Sequence, residues 1–412
     1  MLDRARPHLL PGALALTGLA MLAWLGLYGF GWNDYDDEAR SAVDALIRGD
    51  LETFAALSPA YGGSLVLRAP FALVPSLWGG GELAVYRSLA VPCLAAAGAL
   101  ALVLACRMRA SGQPAIAWVT VVALLTANPI ALRALEIGHP EELLVASLCV
   151  GAVMAAAARR PTLAALLVGT AAAGKPWAVL AVPVVLALAE GRRMRVLLVT
   201  AAAAGAVTAP VVALDHERFA QAAQATTQTS QIFQPWQAWW FLGRPGEVVR
   251  GIDGEVKPGY RAAPAWLSRV SRPLIVLVAA ALALAWWRRP RERRIDALAL
   301  LALVFLLRCL LDPWDAVYYA IPAIFALAAW EGLANRQPPV LALGATVLTW
   351  ITFQELPGRV DPDLQSLAYL AWSIPLAAWV ALRVFGPRRL EPLSTRRWTD
   401  YGARKAAPIR GG

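Results

Sequence analysis

The chain alternates long apolar blocks with short polar runs. Twelve blocks fall at about 9–30, 83–105, 115–132, 142–158, 161–173, 176–189, 196–214, 272–287, 295–311, 316–330, 338–353 and 366–385. They are Ala/Leu/Val-rich, and most are long enough for a helix to cross lipid, where only helices and closed barrels satisfy every backbone group. Barrel strands would be shorter and alternating. The pattern therefore predicts an all-α integral membrane protein with about twelve transmembrane helices. Residues 161–189 break the rhythm, because two full crossings need about 40 residues. They predict two half-helices meeting at Gly174-Lys175-Pro176, with Lys175 in a wet cavity rather than in lipid. The stretch from Ala39 to Gly49 carries Ala42, Val43, Ala45, Leu46 and Ile47 on one side, as an amphipathic helix on the membrane surface would.

Composition fits this solvent. Of 412 residues, 58% are hydrophobic and 16% charged, too apolar for a soluble enzyme of this size. The net charge of +10 would suit nucleic acid if it were gathered on one surface. Instead Arg107/Arg109, Arg159/Arg160, Arg192/Arg193/Arg195, the Arg288–Arg294 cluster and Arg336 sit in short runs between blocks, as positive-inside loops do. That distribution excludes a nucleic-acid partner, puts both termini in the cytoplasm, and implies a multi-pass plasma-membrane protein among membrane lipids. The block behind Arg4 and Arg6 is longer than a signal-peptide core. With Trp24, Tyr28 and Trp32 as an interfacial belt, it reads as a retained first span. Residues 1–392 form the membrane domain, with outer loops at about 31–82 and 215–271. Residues 393–412 form a basic cytoplasmic tail expected to be disordered. Cys93, Cys106, Cys149 and Cys309 lie in or beside apolar blocks without C-x-x-C spacing and read as packing residues.

Polar residues that interrupt this pattern carry the candidate chemistry. Asp34, Asp36, Asp37 and Glu38 stand together just after the first span. Such carboxylates repel one another unless solvated, paired or bound to a cation, and like charge raises a carboxylate's pKa toward that of a useful general base. The same residues would also start the following helix favourably. Between the third and fourth spans, His139 and Glu142 could bind substrate hydroxyls or a phosphate, or Pro140 and its neighbours could simply start a helix. Lys175 is an ionisable residue at membrane depth, a functional position by default. Its Gly169-x4-Gly174-Lys175 spacing mimics a phosphate loop, but Pro176 replaces the required Ser/Thr, which excludes nucleotide binding. Arg308 and Asp312 lie one helical turn apart, as an ion pair or as catalytic groups, with Tyr318 and Tyr319 close behind. Trp236, within Phe233–Phe241, belongs to an aromatic and amide-rich run that suits a sugar face or an interfacial anchor. No cofactor is expected. No ligand spacing demands a metal, although four neighbouring carboxylates leave room for a divalent cation.

In their order, these elements resemble a known family. Asp37-Glu38-Ala39-Arg40, Arg48-Gly49-Asp50, Gly138-His139-Pro140-Glu141-Glu142, Gly174-Lys175-Pro176-Trp177, the Trp-rich loop and Asp312-Pro313-Trp314-Asp315 together resemble the polytopic GT-C glycosyltransferases. The chain is most similar to the polyprenyl-phosphate-mannose-dependent mannosyltransferases of glycosyltransferase family 87, in an actinobacterial style. The resemblance implies a GT-C-like fold with its active site in the extracytoplasmic loops. It implies a polyprenyl-phosphate sugar donor, a lipid or glycan acceptor, and inverting transfer of a hexose, with mannose expected. By matching position the base role falls on Asp37, with Asp36 and Asp34 as competitors. Glu38, His139, Glu142, Lys175, Arg308, Asp312, Tyr318 and Trp236 are the expected substrate-binding residues, Lys175 and Arg308 facing the departing phosphate. The competing expectations are a polytopic transporter or lipid-linked-sugar flippase, which the broken hairpin would suit, and a non-catalytic assembly subunit. A transporter should carry a second interrupted hairpin in its other half, and the sequence has none.

Overall fold

The computed structural model describes residues 2–27, 33–59, 62–227, 232–245, 260–289, 294–334 and 337–386, and they are overwhelmingly helical. After α1 (Leu2–Gly26), a short α2 (Asn33–Tyr35) runs through a π turn (Asp36–Arg40) into α3 (Ser41–Ile47). Then come α4 (Leu51–Leu57), α5 (Gly62–Ala72), α6 (Glu82–Ala110), α7 (Ala115–Thr126), α8 (Pro129–Ile137) and α9 (Glu141–Ala157). The middle of the chain holds α10 (Pro161–Gly174), α11 (Val182–Leu188), α12 (Arg193–Leu214) and α13 (His216–Thr227). A two-residue antiparallel pair, β1 (Ile232–Phe233) with β2 (Arg261–Ala262), precedes α14 (Ala265–Trp287). The last four helices are α15 (Ala297–Leu311), α16 (Ile321–Ala334), α17 (Val340–Trp350) and α18 (Pro362–Phe385).

Helix stands at each of the twelve apolar blocks, and the protein is an all-α polytopic membrane protein. Among the described residues, seven helices are long and apolar enough to cross a membrane. The others are shorter, including Pro161–Gly174, Pro176–Leu188 and Val340–Glu355. α9 and α16 form the centre and are buried along nearly their whole length. Ala and Gly on α9 (Ala146, Gly151, Ala152, Ala155) let α6, α10 and α16 approach closely, which is how helices associate where lipid supplies no hydrophobic drive.

The break at Lys175 is present. α10 stops at Gly174, Lys175 is extended, and a 3-10 turn from Pro176 to Ala181 leads into α11. Pro176 enforces this, because a proline disfavours helix in the residue before it. Both feet of the hairpin stand at one end of the molecule. There Arg294 donates to the carbonyls of Ala156, Ala157 and Leu188. The tip reaches the opposite end of α9.

Two expectations need correction. The apolar side of the segment after Asp37 does not lie on a membrane surface. Ala42, Val43 and Ala45 are fully buried, because α4 and α5 cover that face. The Phe233–Phe241 run is a packed plug rather than an open platform. Trp236 donates to the Thr352 carbonyl and stacks on Phe353, Trp239 donates to the Leu311 carbonyl, and Trp240 donates to Asp363. Tyr28, Trp32, Arg336 and the basic tail lie outside the described residues.

Candidate active site

Three separate segments converge on the tip of the hairpin: α2 with its π turn, the Gly138-His139-Pro140 turn that opens α9, and the start of α5. A fourth, the 3-10 turn Val317–Ala320, packs against α8. The turn is possible because Gly138 takes a left-handed φ of 109°. A Cβ there would meet the Tyr35 backbone nitrogen at 2.6 Å, so only glycine lets α2 come this close. That approach carries Asp34 onto His139.

The result is a chain of ion pairs. His139 Nε2 contacts Asp34 Oδ2 at 2.9 Å and His139 Nδ1 contacts Glu141 Oε1 at 2.9 Å. Lys175 Nζ lies 2.9 Å from the same Glu141 oxygen and 3.5 Å from Glu142 Oε1. Arg68 Nη2 lies 3.2 Å from Glu141 Oε2, a charge contact without hydrogen-bond alignment, while Nε donates to the Ser64 carbonyl and Nη2 to the Ser64 hydroxyl. Trp177, two residues after Lys175, donates to Glu142. Tyr318 donates to Asp34 Oδ2 at 3.5 Å and packs its ring on His139.

Glu141 and Glu142 are each 1% exposed. Ionised carboxylates buried this deeply persist only when paired. Arg68, Lys175 and a protonated His139 balance Asp34, Glu141 and Glu142. Burial and the Lys175 charge oppose protonation of His139. The hydrogen bonds to Asp34 and Glu141, with the Glu141 charge, prevail and raise it from 6.5 to about 9. At neutral pH both ring nitrogens therefore donate. Glu38 is exposed by surface area, yet the cluster acts on it: lost hydration raises its carboxyl, and the charges of His139 and Lys175 oppose the rise.

Arg308 stands apart from this balance. It is 3% exposed, and among the described residues it has no ion pair, with Nη1 lacking any hydrogen-bond partner. Aromatic faces hold it instead, Tyr319 at 4.1 Å and Trp177 at 5.2 Å. The expected pairing with Asp312 does not form. Asp312 leaves the helix axis at the end of α15 and caps the Trp314 amide. Glu142 Oε2, on the other side of Trp177, is likewise buried without a hydrogen-bond partner.

Of the candidate residues, the structure joins Asp34, His139, Glu142, Lys175 and Tyr318, with Glu38 in their field and Arg308 one ring away. Asp36 turns aside to pair with Arg40, and Asp37 is exposed, with no ion pair among the described residues. Trp236 and Asp312 point their polar groups into their own backbone contacts. Sequence reasoning missed Glu141, the hub of the cluster, and did not connect Arg68 to it. Arg68 had a signal, since a lone charge amid Leu65-Val66-Leu67 and Ala69 needs a buried partner.

Residues 62–313 match glycosyltransferase family 87. The chain belongs to glycosyltransferase family 87. The matched stretch runs from the start of α5 to the loop after α15, so it contains Arg68, His139, Glu141, Glu142, Lys175 and Arg308. The protein is thus a multi-pass membrane glycosyltransferase, with a sugar donor and an acceptor as substrates. Among curated proteins there is no match to the chain.

Proposed function

We propose that this family 87 enzyme transfers a hexose, mannose first among candidates, from a polyprenyl-phosphate donor to a lipid or glycan acceptor. Transfer occurs with inversion at the extracytoplasmic face of the plasma membrane, with both termini in the cytoplasm. The observation that carries the mechanism is the contrast between Asp34 and Arg308. Asp34 is half-buried, and both of its contacts fall on Oδ2, leaving Oδ1 to accept a proton. The imidazolium of His139 and the Tyr318 hydroxyl hold that carboxylate in position. As the acceptor hydroxyl attacks the anomeric carbon, its proton passes to Asp34 Oδ1 and the bond from that carbon to the phosphate oxygen breaks. The leaving phosphate needs a cation. Lys175 is committed to Glu141 and Glu142, so the role passes to Arg308, which forms no salt bridge among the described residues.

The contacts of Asp34 favour it over Asp37 and Asp36, the other candidates in the same acidic run. The test is transfer by purified protein in lipid from radiolabelled polyprenyl-phosphate mannose, glucose or arabinose to a membrane lipid extract. Label moving from one donor to a new product, lost in Asp34→Asn and kept in Asp37→Asn, supports the reading. Loss in Asp37→Asn with full activity in Asp34→Asn would return the base to Asp37. Transfer from none of these donors by the folded protein would overturn the donor class.

A further inference from the structure

We infer that the end of the molecule opposite the cluster holds a binding site for a phosphate-bearing anion, the headgroup of an anionic phospholipid. α9 has 17 residues, so its far end lies about 25 Å from Glu141. A cavity of about 250 Å³ opens there between the feet of the hairpin. Arg159, Arg192 and Arg294 line it, with Glu190 as its one acidic residue.

The three arginines differ in what they are free to do. Arg294 is structural: it pairs with Glu190 at 2.6 Å and spends its other donors on three helix-end carbonyls. Arg159 and Arg192 are exposed, and among the described residues neither has an ion pair or a side-chain hydrogen bond. Among the described residues, after Arg294 pairs with Glu190, two positive charges remain on the cavity. Two helix N-termini add to them. α10 begins at Pro161 and α12 begins just after Arg192, and neither has a side-chain cap. Uncapped amides and the positive end of a helix dipole both favour an anion.

The backbone adds a separate point. α9 ends with Arg160 N–H bonded to the Ala155 carbonyl and Arg159 N–H to the Ala156 carbonyl, a turn whose left-handed position ordinarily holds glycine. Here Arg159 holds it at φ 59°, and it is the single non-glycine residue with positive φ among those described. Left-handed backbone is disfavoured at such a residue. The side chain is therefore present against a backbone preference. Apolar neighbours favour a lipid over a free ion: Val196 lines the cavity, and Leu197 and Leu198, 40% and 64% exposed, continue outward from it.

The test uses the full chain in a neutral detergent, titrated with phosphatidylglycerol, phosphatidylcholine or inorganic phosphate while thermal unfolding is followed. Phosphatidylglycerol should raise the midpoint and phosphatidylcholine should not. Arg159→Gly with Arg192→Gln should weaken the response by about thirtyfold, near a fivefold step for each charge. Arg159→Gly relieves the left-handed strain, so this protein should fold. Arg192→Gln alone, at an exposed site, gives the smaller step independently. An equal response to inorganic phosphate would support the anion site and move its source from lipid to solute. No response to either anion in the wild type, or an undiminished one in the double variant, would overturn the proposal.

Discussion

At one end of α9, Glu141 and Glu142 are buried with their charges matched by Arg68, Lys175 and His139. At the other, Arg159 and Arg192 face an open cavity and form no ion pair among the described residues. The same hairpin joins both, with Lys175 at its tip and the cavity between its feet. Buried charge must be balanced locally because desolvation is costly, so the pairing at the cluster end is geometrically specific. Solvated charge need not be balanced, so the far end can keep a surplus available for a partner. A cation without a salt bridge among the described residues therefore has different meanings at the two ends. At the far end it is affordable in water. At the cluster end Arg308 is buried, and its free donor marks a place where an anion is expected to arrive.

Substitutions at the cluster end should have the largest effects. Asp34→Asn is expected to lower transfer by about 10²–10⁴-fold, the usual contribution of a general base, with a smaller loss of thermal stability than Glu141→Gln because His139 loses one of its two carboxylates. Removing a partner from the closed cluster should act on the fold instead. Glu141→Gln leaves Lys175 and Arg68 buried without their shared counter-charge, and should destabilise the protein by about 3–5 kcal/mol. Thermal unfolding in lipid checks this, and a Glu141→Gln protein of normal stability would break the view of the cluster as mutually dependent. Arg308→Gln should do the reverse, keeping the fold while reducing transfer by about 10²–10³-fold. A donor analogue with an uncharged linkage should lose its sensitivity to that change.

Smaller effects separate close approach from backbone conformation. Gly138 and Gly49 both have positive φ, 109° and 78°, but an added Cβ at Gly49 meets nothing within 4 Å. Gly49→Ala should cost about 1 kcal/mol and leave transfer intact. Gly138→Ala should cost about 1–3 kcal/mol and also lower transfer, because Tyr35 and Asp34 must back away from His139. Equal activity in the two variants would argue against the Asp34–His139 contact as a requirement.

The mildest test is pH. His139 is raised from 6.5 to about 9, so its stabilising contribution is fully present below pH 6.5 and disappears as pH rises through 9. Stability and transfer should both decline across that upper range. In His139→Gln the alkaline decline in stability should be reduced.

Much of the architecture was legible along the chain. The apolar blocks and the break at Gly174-Lys175-Pro176 depend on local chemistry: lipid demands continuous apolar helix, and proline restricts the residue before it. The acidic run, the His139 turn and Arg308 were visible for the same reason, as polar residues where apolar ones are expected. Their division of labour was not. Asp34, Asp36, Asp37 and Glu38 are nearly equivalent in sequence, but a π turn sends Asp36 toward Arg40 and leaves Asp37 in the open, while only Asp34 meets His139. Glu141 resembled a helix-start residue until Arg68 and Lys175 arrived from α5 and the hairpin tip. Arg308 looked like a partner for Asp312 until the end of α15 turned Asp312 onto the Trp314 amide.

The sequence by itself determined which segments form apolar helices, where the hairpin breaks and which polar residues are unusual, because each follows from neighbours within a few turns. Only the tertiary structure decided which charges neutralise one another and which remain unspent. Pairing depends on distances between segments far apart in the chain, and a change of a few ångströms turns a buried ion pair into an uncompensated charge.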